Sequence, residues 1–368
     1  MIGPLKLAIT CPYAWDAPGG VQVHVRELGE QLRARGHDVL ALTPSRSRPE
    51  QDWVRSVGRP IGVPYNASVA PICPWPSSGR RTVDALRAFG PEVIHAHEPL
   101  TPSTSFFSMR SGVAPIVATF HSGASRALLY DLAAPVLRRQ ARRIAVRIAV
   151  SRAAAAFAGR RIGGGYQIVG NGVDVARFRD ATPAALGPGP ALLFVGRLDE
   201  RKGFPTAVDA FTRLAARFDD LRLVVAGDGP DRGAVERLAP AVRARVRMLG
   251  HVPNVDLPPV LAACDLFLAS SVGGESFGIV LVEAMAAGLA VVASRIPGYD
   301  EVVTHEVDGL LVPPRRPDAA AEALALLLED RALAARLAEA GRERAASFSW
   351  EAITGRLEAL YRQAAGRS

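Results

Sequence analysis

Lysine is almost missing from this chain. Of 44 basic residues in 368, 42 are arginines, and only Lys6 and Lys202 are lysines. Against that background a lysine is informative, because arginine could serve most surface roles. Lys202 sits in a charged turn, where a compact point charge suits a phosphate. Cysteine is scarce as well. Cys11, Cys73 and Cys264 are far apart and odd in number, which excludes a disulfide framework or a thiolate metal site and fits a reduced compartment. Aromatic residues are 6% of the chain. With no recognition-helix or RNA-binding signature, nucleic acid is not an expected partner. No apolar run approaches the length of about eighteen residues that a membrane-spanning helix needs. No signal-peptide layout precedes the first strand.

What is present describes a soluble chain long enough for two domains with full cores. The charge is unevenly shared. Residues 1–180 carry a net +11 and residues 181–368 a net −3. The basic half fits an anionic surface such as lipid headgroups. Nine arginines and one aspartate lie between Arg126 and Arg161. With Leu132, Val136, Ile144 and Ile148 they read either as a basic amphipathic surface or as a solvated helix over a sheet.

Strand and helix patterns alternate throughout, which predicts two doubly wound parallel sheets. In the first half, Leu5–Cys11 is a strand, a loop reaches Gly19-Gly20, and Val21, Val25, Leu28 and Leu32 recur at helical spacing. This opening lacks the full three-glycine dinucleotide fingerprint. Residues 44–80 read as irregular, with a short helix near 80–89. Val93–His97 and Ile116–Phe120 are strands. His95 and His97 share a strand face, as a metal pair would, but no third ligand of sensible spacing beyond Glu98 accompanies them, so no metal is expected. His121 stands at the C-terminal end of its strand, where ligands collect in open α/β sheets. Ala181–Pro190 reads as the linker. That places the domains at 1–180 and 181–348, with a last helix in 349–368 crossing back to the first.

The stretch Gly273–Gly288 carries the strongest chemistry. It follows an apolar strand, Leu266–Ala269, and reads as a glycine turn leading into a helix from Phe277 to Ala287. A helix start offers unpaired N–H groups and partial positive charge to a phosphate. Glu275 and Glu283 are eight residues apart, about 12 Å along a helix axis. At that distance they would grip two ends of an extended ligand, such as a nucleotide-sugar. An acid inside an apolar run needs a partner, and Glu283 is such an acid.

These pieces resemble glycosyltransferase family 4, of the GT-B fold: α/β, two Rossmann-like doubly wound domains facing across a cleft. Glu275 and Glu283 match the family's E-x7-E signature, and Gly196-Arg197 with Lys202-Gly203 match its donor-diphosphate pair. Within the family the chain looks closest to the phosphatidyl-myo-inositol mannosyltransferases. The loops that carry this are Cys11–Gly20 running on through Val21-Gln22-Val23-His24-Val25, Pro64–Ala70, His97-Glu98-Pro99 and Val117–Ser122.

The resemblance implies a retaining transferase moving mannose from GDP-mannose to the inositol ring of phosphatidylinositol, at the cytoplasmic face of the membrane and peripheral to it. It implies no cofactor. Arg197 and Lys202 would neutralise the leaving diphosphate. Glu275 would hold sugar hydroxyls, Glu283 the ribose, and backbone at Ser276, Phe277, Gly278 and Ile279 the phosphates. Val252 would meet the base. Gly19 and Gly20 would close on the donor, and His121 would contact the transferred sugar. Tyr13, Gln22, Asn66 and Ser68 would receive the inositol. No clear nucleophile presents itself, so front-face departure and attack is the implied route. One departure stands out. The relatives carry a lysine-rich run on a first-domain helix, whereas here Arg80, Arg81 and Arg87 are accompanied by Asp84. Two other readings stay open: a family 4 enzyme with another donor or a soluble inositol phosphate acceptor, and a non-catalytic nucleotide-binding protein on the same fold.

Overall fold

The computed structural model describes residues 3–65, 68–122 and 128–367, the side chains of 65, 68 and 128–132 excepted. The chain divides into two compact units, Met1–Gly172 with Trp350–Ser368, and Val173–Ser349.

In the first unit β1 (Lys6–Thr10) leads through α1 (Gly20–Ala34) to β2 (Asp38–Thr43) and β3 (Val54–Ser56). A hairpin follows, β4 (Ile61–Tyr65) and β5 (Ser68–Ile72). Then come α2 (Pro76–Phe89), β6 (Val93–His97), α3 (Thr104–Ser108), β7 (Ile116–Phe120), α4 (Leu128–Ala141), β8 (Ile144–Ala149), α5 (Arg152–Ile162) and β9 (Gln167–Ile168). Seven strands form one parallel sheet in the order β3-β2-β1-β6-β7-β8-β9. Helices cover both faces, so the central strands are buried along their length and mostly apolar; Ala8, Ile9, Ile94, Ala96, Val117 and Ala118 are buried. One core joins Val25, Leu28 and Leu32 of α1 to Trp350, Ile353, Leu357 and Tyr361 of the C-terminal helix, Trp350–Ala364. The other holds Leu86, Leu137, Ala141 and Ile162 on the opposite face.

The region expected to be irregular is therefore largely ordered structure. Its prolines concealed this. Pro64 and Pro71 face Val69 and Gly62 in a sheet of two strands only. Both strands are edges, where a residue lacking an N–H need not break a ladder. Pro76 occupies the first turn of α2, starting that helix four residues early, where a missing N–H costs nothing.

The second unit begins with α6 (Val175–Arg179) and β10 (Ala191–Val195). It continues through α7 (Phe204–Ala215), β11 (Arg222–Ala226), α8 (Pro240–Arg243), β12 (Val246–Gly250), α9 (Leu257–Ala262), β13 (Leu266–Ala269), α10 (Ile279–Ala287), β14 (Ala290–Ser294) and β15 (Leu310–Val312), and ends in α11 (Pro317–Glu329) and α12 (Arg331–Ala346). Its six strands are parallel in the order β12-β11-β10-β13-β14-β15. Both units are thus the doubly wound sheets that the alternating pattern predicts.

The expected linker is part of the second unit. Ala184 N–H donates to Pro259 O at 2.8 Å, and the Arg222 and Arg247 guanidinium groups bond the carbonyls of Gly189 and Ala185 at 2.8 and 3.1 Å. The chain passes between units at Gly172–Val173 and Ser349–Trp350 instead. Breaker-rich composition marks irregular backbone, and here tertiary hydrogen bonds hold that backbone in place.

Candidate active site

In the second unit two turns meet at the C-terminal ends of the paired strands β10 and β13. One is Arg197–Gly203, the other 270–278. Gly203 adopts φ +70°, and a Cβ there would lie 1.9 Å from Ser270 O. Only glycine permits that approach, and it sets Lys202 against the second turn. Lys202 Nζ lies 2.9 Å from Glu275 Oε1, and Arg201 Nη1 is 2.8 Å from the same oxygen. The Lys202 N–H is fixed by Asp199 Oδ1 at 2.8 Å. Arg197 pairs with the other oxygen of Asp199 at 3.3 Å and keeps 59% of its side chain exposed. Arg201 was not singled out in the sequence. Its only signal was its place beside Lys202 in a run of charges.

The second turn ends at Gly278, whose φ of +88° begins α10, with no side chain capping the helix. Leu281 N–H turns back to Gly278 O at 2.9 Å, and the N–H groups of Ile279 and Val280 are open to an outside acceptor. The helix starts at Ile279, two residues later than expected. Glu275 therefore lies off the helix, and an axial distance of 12 Å does not describe the pair. Phe277 is buried edge-on against Phe348, so only its backbone is available to a ligand. Ser276 and Val252 are half-buried, and Ile279 is exposed. Glu283 is buried and accepts from Asn254 Nδ2 at 3.2 Å, which meets the expectation of a partner.

In the first unit the Gly19-Gly20 turn opens α1. Gln22 is buried, reaching back toward Ala14 O at 3.4 Å and lying where a Gly19 Cβ would sit. It braces the turn. Tyr13 is half-buried and bridges to Ile72 of the hairpin. Asn66 and the Ser68 side chain lie outside the described residues.

His121 does stand at the end of β7, and it is not alone. Its Nε2 is 2.9 Å from Nδ1 of His97, at the end of β6. The His24 ring, from α1, lies 5.1 Å from that of His121 and 5.4 Å from that of His97. His95 is held by Tyr361 Oη and Thr119 Oγ1, each at 2.7 Å. All four imidazoles are buried. Desolvation lowers each below the ordinary histidine range, His24 to about 4 and His95 to about 3, and the ring neighbours push the same way on His95, His97 and His121. At neutral pH the cluster is uncharged.

Glu98 Oε1 accepts from the His121 N–H at 2.7 Å and from Ser122 Oγ at 3.0 Å. Burial raises the Glu98 carboxyl, and those hydrogen bonds act against the rise. Neither His24 nor Glu98 was singled out as a site residue. A histidine in an amphipathic helix gives no local sign of neighbours about a hundred residues away.

His24, His97 and His121 offer ring nitrogens within 4.8 Å of one another, the one such set among the described residues that could hold a metal ion. The sequence tied the metal question to His95 and His97 alone, and two of these ligands come from other segments. The 2.9 Å hydrogen bond between His97 and His121 is shorter than the separation of about 3.3 Å between two ligands of tetrahedral zinc. His97 and His121 are hydrogen-bonded to each other, and His24 joins them by ring contact.

Comparison with known proteins agrees with this geometry. Residues 18–177 match the family model described as Glycosyltransferase Family 4, and residues 180–344 match Glycosyl transferases group 1. The chain is 37% identical to the phosphatidyl-myo-inositol mannosyltransferase of Mycolicibacterium smegmatis, over 98% of this chain and 95% of that one. It is 38% identical to the protein of the same name from Mycobacterium leprae, over 97% and 96%. A solved glycosyltransferase from Rickettsia africae, 17% identical, shares the fold over the full length of both chains with a TM-score of 0.78. A non-catalytic role is thereby set aside, and the chain belongs to glycosyltransferase family 4, an enzyme of the GT-B fold.

Proposed function

We propose that this enzyme transfers mannose from GDP-mannose to the inositol ring of phosphatidylinositol, with retention at the anomeric carbon. Relatives named phosphatidyl-myo-inositol mannosyltransferase align over nearly the whole chain, which supports the mannosyl transfer and the acceptor. On this reading the diphosphate sits at the start of α10. It draws Lys202 and Arg201 from Glu275, which turns to the sugar hydroxyls. Arg197, Lys202 and the helix N-terminus stabilise the charge that develops on GDP as the glycosidic bond breaks. Glu283 holds the ribose. His121 meets a sugar hydroxyl, and Tyr13 faces the inositol.

One observation favours a lipid over a soluble acceptor. Beside Tyr13 lies an apolar hollow of about 410 Å³, lined by Val63, Ile72, Leu100, Phe106 and Val136. Val136 and nearby Val69 are 61% and 63% exposed. Apolar surface of this kind marks a binding groove or a membrane contact. Arg138, Arg139, Arg142 and Arg143 follow Val136 in the chain. Arg46, Arg48, Arg55, Arg59 and Arg81 edge a second, polar hollow of about 980 Å³. None of these five has an ion-pair partner among the described residues. They suit the inner, anionic face of the membrane. No helix among the described residues is long and apolar enough to cross it.

The test is transfer from labelled GDP-mannose to phosphatidylinositol in vesicles, run beside free inositol phosphate and beside UDP-sugars. Transfer to the vesicle lipid from GDP-mannose alone is expected. Turnover confined to the soluble acceptor, or to a UDP-sugar, overturns the assignment.

A further inference from the structure

We propose that His97 and Glu98 are positioning residues that present His121 as a hydrogen-bond donor, through a proton fixed on its Nδ1. The proposal rests on the reading that His121 meets a sugar hydroxyl, and it adds what that ring offers and what holds it.

The ring comes first. His97 Nδ1 and His121 Nε2 share one proton across 2.9 Å, so one ring donates and the other accepts. His97 Nε2 decides which. It is fully buried and has no hydrogen-bond partner among the described residues. If His121 donated, His97 would carry its own proton on Nε2 and leave a buried N–H unpaired. If His97 donates, the fully buried Nε2 carries only a lone pair, and the unpaired N–H falls instead on His121 Nδ1, which is not among the fully enclosed orphan atoms. Orphaned buried donors are the rarer of the two. His97 thus carries its proton on Nδ1 and donates to His121. The His121 proton is left on Nδ1, which has no partner among the described residues. A neutral imidazole so arranged donates to a hydroxyl oxygen or a ring oxygen and cannot act there as a base.

Glu98 fixes the backbone. Its φ of +45° is a conformation that residues other than glycine rarely adopt. The strained backbone is itself held, by Glu98 N–H on Thr119 O at 2.8 Å and by Thr101 N–H on Glu98 O at 3.0 Å. In this pose one carboxylate oxygen gathers the His121 N–H and the Ser122 hydroxyl. Strain kept next to a ligand-facing residue points to function. The two consecutive residues hold His121 at two places, the ring by His97 and the main chain by Glu98.

The tautomer can be read directly. Histidine ¹⁵N shifts of the full-length protein, assigned with His121→Gln, are expected to report an Nδ1–H tautomer for His121. An Nε2–H tautomer overturns the proposal whatever the activity. In turnover, His97→Asn keeps an N–H donor near the place of Nδ1 and is expected to stay within several-fold of wild type. His97→Leu, of similar shape without the donor, is expected to fall roughly 10²-fold, the usual result of a misplaced contact group. Glu98→Gln keeps the acceptor and should retain most turnover, whereas Glu98→Leu should not. Equal losses in His97→Asn and His97→Leu count against the proposal. Full activity in His121→Ala instead removes the functional reading and leaves the tautomer result standing, so the two failures are distinct.

Discussion

The two units present opposite kinds of site. In the second, Glu275, Lys202, Arg201 and Arg197 are charged, paired and partly exposed. In the first, four imidazoles are buried and neutral; His95, His97 and His121 hydrogen-bond to one another or to hydroxyl groups, and His24 meets its neighbours by ring contact. A diphosphate arrives with charge and needs counter-charge that can exchange partners. A sugar or an inositol ring arrives neutral and needs fixed hydrogen-bond geometry in a dry setting, where such bonds gain strength. On the proposed assignment, the diphosphate end of the site works by charge exchange and the sugar-facing cluster by preorganisation.

The strongest way to break this contrast is to remove the counter-charge. Lys202→Ala is expected to lower turnover by roughly 10³-fold, about 4 kcal/mol, as loss of an electrostatic stabiliser does. The protein should remain folded, because the ion pair is partly exposed. Near-wild-type rates in steady-state assays would falsify the charge-exchange account.

Acid tests the neutral cluster. His24 and His95 are unprotonated in the folded protein and take up a proton when unfolded below pH 6.5. The unfolded state then binds more protons, so stability is whole above pH 6.5 and drains as pH falls toward the folded values of about 4 and about 3. Between pH 6.5 and 5 the two together cost on the order of 3 kcal/mol. Glu98, raised by burial, acts in the opposite sense and offsets part of this. Trp15, Trp53, Trp75 and Trp350, the chain's only tryptophans, all belong to the first unit. Their fluorescence during thermal melts therefore follows the unit concerned. A melting midpoint that does not move across this range contradicts the picture of buried, neutral imidazoles.

Gly203→Ala sharpens the comparison from the second unit. A side chain at φ +70° pressed on Ser270 O is expected to destabilise that unit by about 2 kcal/mol. It should also raise the KM for the donor, since the turn carrying Lys202 must shift. Denaturant melts with donor-saturation curves measure both, and an unchanged KM would show that the close approach does not position Lys202. The smallest effect is expected on the acceptor side. Val136→Asp should raise the KM for vesicle phosphatidylinositol by roughly 10-fold, the scale of one apolar contact, and leave the KM for GDP-mannose alone. Equal changes in both would remove the apolar hollow from the acceptor site.

The elements proposed for the donor were legible because they are close in sequence. Arg197 and Lys202 share one turn, Glu275 and Glu283 one strand-turn-helix passage, and Gly203 marks where the two turns approach each other. What escaped was non-local or masked by a local signal. The hairpin Ile61–Ile72 was hidden by prolines that an edge strand tolerates, and the breaker-rich 181–190 segment looked like a linker until the hydrogen bonds from Arg222 and Arg247 were seen.

By itself the sequence determined the two parallel sheets, the family, and the charged turn and helix start offered to a diphosphate. Periodicity, glycine placement and a lone lysine among arginines are all local properties. Only the tertiary structure decided that Lys202 and Arg201 close on Glu275, and that the buried rings of His24, His97 and His121 come together, with Glu98 holding the His121 main chain. Those contacts join residues up to about a hundred positions apart. They exist because parallel strands deliver their C-terminal ends to one edge, and no local pattern records which side chains will meet there.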